Sequence, residues 1–145
     1  MNDVAASIAG PADWPEIVAL RTRVFVDEQG VPPEIEQDAA DATAVHGVAR
    51  DASGVLVATG RLLLRDDGTA AVGRMATEAS ARGRGYGAAV LGVLQDEAHR
   101  LGARVAELHA QVTARSFYER AGYAAVGEEY VEAGIRHVTM RRPLR

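Results

Sequence analysis

The sequence predicts an α+β fold in which a mixed sheet of about six or seven strands is flanked by about four helices. Three observations carry this prediction. Residues 43–77 contain alternating segments separated by turn signals, which is typical of an antiparallel meander. A helical period follows from residue 85, and a further strand comes directly after that helix, a pattern typical of a parallel crossover. At 145 residues the chain fits one domain, 1–145.

The N-terminal part of the chain predicts one strand and one helix before the meander. Residues 5–9 form a short strand. Asp13 and Glu16, three residues apart, match a capping box that opens a helix, and the glycine and prolines at 30–33 end it. Residues 34–41 fit either a loop or a short acidic helix. The meander strands are 44–50, 55–64 and 70–77.

The remaining elements follow the meander in a regular order. A helix over 85–101 closes at a glycine and leads into a strand over 104–111. A shorter helix over 114–120 precedes the last two strands. Those strands, 123–131 and 135–141, meet across a turn at 132–134.

Composition excludes several classes of function. All 16 basic residues are arginine and the net charge is −4, so the chain lacks the general basic surface that binds nucleic acid. With no cysteine it forms no disulfide, thiolate metal site or covalent cysteine intermediate. Its apolar runs are too short for a membrane span, and the start resembles no export signal. We therefore expect a cytoplasmic protein without membrane or nucleic-acid partners.

The stretch Arg82-Gly83-Arg84-Gly85-Tyr86-Gly87 is the most informative motif. Glycines allow positive φ and a close approach of the backbone to a ligand, and the helix that follows points unpaired N–H groups back at this loop. Such a loop binds phosphate. A solvent-facing turn that only eases entry into the helix is the alternative.

Two spaced motifs resemble the GCN5-related N-acetyltransferase (GNAT) superfamily. Its Arg/Gln-x-x-Gly-x-Gly/Ala loop, which wraps the pyrophosphate of acetyl-CoA, is matched by Arg82, Gly85 and Gly87. Its Asn-x-x-Ala-x-x-Phe-Tyr-x-x-x-Gly-Phe pattern is matched, with Gln for Asn and Tyr for the last Phe, at Gln111, Ala114, Phe117, Tyr118, Gly122 and Tyr123. The strand over 72–77 looks like the family's bulged fourth strand. Segments 23–29 and 134–140 resemble the ElaA-like branch, and the likeness covers nearly the whole chain.

The resemblance implies a binding site for acetyl-CoA, with a role for each matching segment. The amides of residues 82–87 would bind the diphosphate, and the backbone of Met75, Ala76 and Thr77 would align the pantetheine arm. Gln111 stands where the family makes a cofactor contact. Tyr118 would contact the cofactor and protonate the departing sulfur; a tyrosine that merely packs in the core is the alternative.

The acceptor side is implied to lie at the end of the first helix. Glu28 is the first choice for the general base, and Phe25, Glu36 and Asp38 would line the acceptor pocket, where the carboxylates would attract a cationic amine. The acidic run also fits a solvated surface. Further possible bases are Glu36, Asp38, Glu78, His46, His109 and His137. No His or Asp/Glu spacing indicates a metal site.

Together these features predict an N-acetyltransferase that moves the acetyl group of acetyl-CoA to a primary amine of a small molecule or peptide. Because the chain has no cysteine, direct attack in a ternary complex is simpler than a covalent route. A homodimer is possible. The alternatives are an inactive domain that binds acyl-CoA and an NAD-binding enzyme, since Gly83-x-Gly85-x-x-Ala88 also fits the dinucleotide fingerprint.

Overall fold

The computed structural model describes residues 5–145, which form one seven-stranded mixed sheet in the order β1-β2-β3-β4-β5-β7-β6. The strands are β1 (Ala6–Ile8), β2 (Val45–Arg50), β3 (Leu56–Leu64), β4 (Thr69–Thr77), β5 (Val105–Gln111), β6 (Ala124–Glu132) and β7 (Ile135–Pro143). The helices are α1 (Trp14–Arg21), α2 (Pro33–Glu36), α3 (Tyr86–Arg100) and α4 (Arg115–Arg120), and a π-helical segment (Thr22–Glu28) continues α1. The predicted α+β fold is confirmed, with element ends within about two residues of those expected.

The sheet contains an antiparallel half and a parallel junction, as predicted. Strands β1 to β4 pair antiparallel in sequence order. Strand β5 lies parallel to β4, and α3 makes the crossover between them. The last strand, β7, enters between β5 and β6 and pairs antiparallel with both. Because of that insertion, each residue of β5 is paired with a residue of β7.

Strands β4 and β5 separate before either one ends. Their pairing runs only from Thr69 with Val105 to Val72 with Leu108. On its other edge β4 carries a bulge, because the register with β3 shifts opposite Gly60 and Arg74 adopts a φ of +52°. A bulge bends its strand, and the bend opens a wedge between the two strand ends. The bulge agrees with the resemblance stated for this strand.

Each face of the sheet is covered by one helical layer. The apolar side of α3 packs on one face, where Val90, Leu91, Leu94 and Ala98 meet strand residues such as Leu62, Val72, Leu108 and Met140. Helix α1 packs on the other face, where Ile17, Leu20 and Val24 meet Val48, Leu56 and Ala76. This second layer lies over β2 to β4. No helix within residues 5–145 is both long and apolar enough to span a membrane.

Three local expectations are corrected or decided. The capping box of Asp13 and Glu16 is wrong: the Asp13 carboxylate instead accepts a hydrogen bond from the Gly10 N–H at 2.9 Å, and both acids bind Arg50. Residues 34–41, left open, contain the end of α2 and the start of a 3-10 turn (Ala39–Ala42). The last turn is shorter than predicted, because residues 133 and 134 both take positive φ and close a two-residue hairpin.

Candidate active site

A cleft of about 1140 Å³ opens where β4 and β5 separate. Its walls come from both strand ends, the loop before α3, helix α4 and the π-helical segment. Among its lining residues are Phe25, Glu36, Asp38, Met75, Ala76, Thr77, Arg82, Gly83, Gly85, Tyr86, Gly87, Gln111 and Tyr118. Of the residues assigned to cofactor binding, catalysis or acceptor binding, Glu28 and Arg84 lie outside this lining, and so do the further possible bases Glu78 and His46. The structure therefore brings the predicted cofactor and acceptor segments to one place.

The glycine loop forms the end of the cleft at the N-terminus of α3. Gly83 and Gly85 have φ of +78° and +87°, and Gly85 is the N-cap of the helix without any side-chain cap. A Cβ on Gly87 would lie 3.3 Å from the Thr77 hydroxyl oxygen, so the helix approaches β4 closely there. The first N–H groups of a helix have no intrahelical partner. This end of the cleft therefore presents donors and a positive dipole suited to a diphosphate.

Arg82 ties this loop to two other elements. Its Nε donates to the Thr77 carbonyl at 3.1 Å, and its two terminal nitrogens donate to the Glu28 carboxylate at 2.7 Å each. These hydrogen bonds lower the pKa of Glu28. A carboxylate held in this way is a poor proton acceptor. The structure places Glu28 in a clamp behind the cleft wall, which suits a positioning role better than the predicted role of general base.

Tyr118, in the part of the cleft wall formed by α4, meets the physical needs of a proton donor. Its ring on α4 is buried against Phe117 and Tyr123, and this burial raises the pKa of its hydroxyl to about 12. In the described part of the chain no group hydrogen-bonds that hydroxyl. The neighbouring Tyr123 hydroxyl, by contrast, donates to Gln95 Oε1 at 2.9 Å. Of the two tyrosines, Tyr118 lines the cleft, and its hydroxyl has no hydrogen-bond partner among residues 5–145.

Gln111 closes part of the cleft mouth. Its Nε2 donates to Gln29 Oε1 at 2.8 Å, which connects the end of β5 to the chain that follows the π-helical segment. The side-chain nitrogen is thus engaged within the protein. The backbone of Gln111 still stands at the end of the wedge.

The predicted acidic mouth is a charge-balanced group, called here the arginine–carboxylate cluster: Arg21, Arg61, Arg74, Glu36, Asp38 and Asp41. Arg21 is 1% exposed and Glu36 is 3% exposed, and they form an ion pair at 2.5 Å. Arg61 donates twice to Asp38, at 2.7 and 2.9 Å. Glu36 and Asp38 line the cleft, but arginines neutralise their charge. Within the run, Glu36 is buried and ion-paired, whereas Asp38 is ion-paired and partly exposed, so neither is a free carboxylate at the cleft.

The arginines also determine how the cluster titrates. Burial alone would raise the pKa of Asp41, but hydrogen bonds from Arg21 and Arg61 outweigh it and bring that pKa to about 2. Hydrogen bonds from Arg61 likewise lower the pKa of Asp38. Both carboxylates consequently stay ionised at neutral pH.

The sequence reasoning missed residues on the far wall. Glu132 lines the cleft beside His109 and His137, which were proposed only as possible bases. Gln29, the partner of Gln111, was also missed. Alternation within β5, β6 and β7 puts His109, Glu132 and His137 on one face of the sheet, but only the insertion of β7 between β5 and β6 brings them together. Among residues 5–145 no group of three His, Asp or Glu side chains is arranged to hold a metal ion.

Comparison with known proteins agrees with this geometry. The acetyltransferase (GNAT) domain family matches residues 13–144. YjcF of Bacillus subtilis, described as an uncharacterized N-acetyltransferase, is 35% identical over 124 residues, 85% of this chain and 87% of that protein. An acyl-CoA N-acyltransferase from Pseudomonas aeruginosa is 32% identical with a TM-score of 0.80, covering 97% of this chain and 99% of that one.

Escherichia coli ElaA has a similar structure as well. It superimposes with a TM-score of 0.81 at 26% identity, over 98% of this chain and 99% of that one. The likeness to ElaA agrees with the branch that segments 23–29 and 134–140 resemble. These matches, together with the wedge between β4 and β5, show that the chain belongs to the GNAT acetyltransferase family.

Proposed function

We propose that this protein is an acetyl-CoA-dependent N-acetyltransferase that acetylates a primary amine on a small molecule or peptide. One observation carries the proposal: a positive-φ glycine loop at the start of α3 and an unpartnered Tyr118 hydroxyl face the same cleft. The names of the Bacillus subtilis and Pseudomonas aeruginosa relatives support it.

The chain's residues fit coenzyme A along the length of the wedge. The loop amides from Gly83 to Gly87 would hold the diphosphate at the helix N-terminus. Beyond Val72, the backbone of β4 no longer pairs with β5, so its β5-facing groups are free to bind the amides of the pantetheine arm. When bound, acetyl-CoA supplies an activated acetyl group on a thiol that leaves readily.

Tyr118 would act as the acid for the departing sulfur. Because its pKa is raised to about 12, the hydroxyl is protonated at neutral pH and donates a hydrogen bond that strengthens as negative charge develops. Because a thiol is already a good leaving group, losing this hydrogen bond should slow the reaction without abolishing it. In the absence of cysteine, the amine would attack directly in a ternary complex.

The test compares two neighbouring tyrosines. We expect Tyr118→Phe to lower turnover roughly ten- to a thousand-fold while affinity for acetyl-CoA changes little. Tyr123→Phe, which removes a hydroxyl already bonded to Gln95, is the matched control and should keep turnover within a few-fold. Thiol release from acetyl-CoA is followed with spermidine, glucosamine and a peptide with a free N-terminus.

Calorimetry measures whether the protein binds acetyl-CoA and whether it binds NAD. Binding of acetyl-CoA without NAD is expected. Acetyl-CoA binding without thiol release for any amine would instead support the inactive acyl-CoA-binding domain, and binding of NAD alone would refute the proposal. Equal turnover of Tyr118→Phe and the native enzyme would remove the role given to Tyr118.

A further inference from the structure

Three side chains form a polar group on the cleft wall opposite the arginine–carboxylate cluster. This histidine–glutamate group consists of His109 on β5, Glu132 on β6 and His137 on β7, and all three line the cleft. Glu132 Oε1 lies 3.1 Å from His109 Nδ1, and its Oε2 lies 3.8 Å from His137 Nε2. The group belongs neither to the glycine loop nor to the clamp around Arg82.

The hydrogen bonding of His137 leaves one ring nitrogen able to accept a proton. The ring is 7% exposed, and its Nδ1 lies 2.7 Å from the Ile135 carbonyl oxygen. A carbonyl only accepts, so Nδ1 carries the hydrogen, and Nε2 of the neutral ring keeps its lone pair. Nε2 has no hydrogen-bond partner within residues 5–145, and it is not sealed from solvent.

His137 is also well placed with respect to the wedge. It pairs in register with Gln111, the last residue of β5, on the edge of β5 that faces away from β4, and its side chain lines the cleft. The Tyr130 ring stacks on it at 6.1 Å, which fixes the ring orientation. The titratable groups that face it are therefore Glu132 and Tyr130 on β6 and, through Glu132, His109 on β5.

The proposed bases outside this group are engaged elsewhere. Glu28, Glu36, Asp38 and Glu78 each bind an arginine at 2.5 to 2.9 Å. His46 is held by the Asp41 carbonyl through Nε2, and its Nδ1 is buried away from the cleft solvent. Glu132, by contrast, is about half exposed and has no arginine partner among residues 5–145. Its charge is available beside the free nitrogen of His137.

We propose that the histidine–glutamate group receives the acceptor amine: Glu132 attracts the ammonium form, and Nε2 of His137 removes its proton. The inference rests on the proposed acetyl transfer and adds the residues that would receive the amine and take its proton. Nε2 takes one of the three ammonium protons, and the lone pair so released forms the new carbon–nitrogen bond.

The remaining protons and electrons are accounted for by Tyr118 and solvent. The electron pair of the breaking carbon–sulfur bond stays on sulfur, which takes the Tyr118 proton. The second amine proton returns to the Tyr118 oxygen, and the His137 imidazolium releases its own proton to solvent. The amide nitrogen keeps the third proton, so one proton is released per turnover.

The kinetic test uses His137→Gln and Glu132→Gln, with His99→Gln, an exposed histidine on α3, as the matched control. With the amines named above, we expect His137→Gln to lower kcat/KM at pH 7 roughly a hundred-fold and to abolish the acid limb of the pH profile. Glu132→Gln should raise KM for spermidine several-fold with a smaller change in kcat. His99→Gln should match the native enzyme, and circular dichroism verifies folding of each variant.

A second measurement does not depend on turnover. Nitrogen NMR of the histidine rings in the free protein should show His137 as the Nδ1–H tautomer at neutral pH, and spermidine should shift its Nε2 signal. An Nε2–H tautomer, or a His137→Gln variant with the native pH profile, would overturn this inference while leaving the proposed function intact. A native enzyme that acetylates none of these amines would contradict both.

Discussion

At the scale of single residues, backbone conformation does as much for the site as side-chain chemistry. Gly83 and Gly85 hold the loop in the left-handed region, where a side chain costs free energy. Arg74 also has a positive φ, so its backbone conformation carries the same cost in free energy. Its guanidinium donates to the carbonyls of Ile35 and Glu36 at 3.3 and 2.9 Å, and these bonds help to offset the strain at the β4 bulge.

Gly85 allows a direct test of the loop. We expect Gly85→Val to lower affinity for acetyl-CoA at least a hundred-fold, because a φ of +87° disfavours a branched residue and the N-cap would shift. Gly92→Ala is the matched control: this glycine lies within α3 with open space around it, so binding should stay native and stability should rise slightly. Native affinity in Gly85→Val, measured by calorimetry, would disprove the loop assignment.

At the scale of elements, local patterns were predictable and pairings across the sheet were not. The loop before α3 and the position of Tyr118 follow from spacing within one segment, so the sequence contains that information. The insertion of β7 beside β5 depends on tertiary packing, and it alone creates the contact between His137 and Gln111. For the same reason the partners of Glu28 and Glu36, which lie far along the chain, could not be predicted.

A buried ion pair between Arg21 and Glu36 joins helix α1 to α2. Arg21 is 1% exposed and binds Glu36 and Asp41; Asp41 keeps Arg61, but Arg21→Ala would remove the arginine that hydrogen-bonds the buried Glu36 carboxylate. We expect a loss of roughly 3–5 kcal/mol in the free energy of unfolding. Arg23→Ala, which removes a partly exposed pair with Glu78, should cost at most about 1 kcal/mol.

Urea titration measures both variants. A loss for Arg21→Ala no larger than that for Arg23→Ala would show that the buried pair does not hold α1 and α2 together. The comparison is sharp because the two arginines are two residues apart on one helical run and differ chiefly in burial.

At the scale of the whole molecule, the net charge is −4, yet many carboxylates are ion-paired, mostly with arginines. Arginine presents a planar fork that binds two oxygens at once, and Arg61 and Arg82 use it in that way. The cluster beneath the cleft joins α1, α2, β3 and β4. Its protonation therefore couples the stability of the acceptor side to pH.

Asp41 makes the free energy of unfolding depend on pH in the acid range. Its pKa is about 2 in the folded protein and about 4 in an unfolded chain, so the folded state favours the ionised form. The resulting stabilisation is complete above about pH 4 and disappears as the pH falls through 2. We expect urea unfolding to show that the native protein loses roughly 2 kcal/mol more than Asp41→Asn between pH 5 and pH 2. Asp96→Asn, on the exposed side of α3, should follow the native curve; parallel curves for the native protein and Asp41→Asn would refute the coupling.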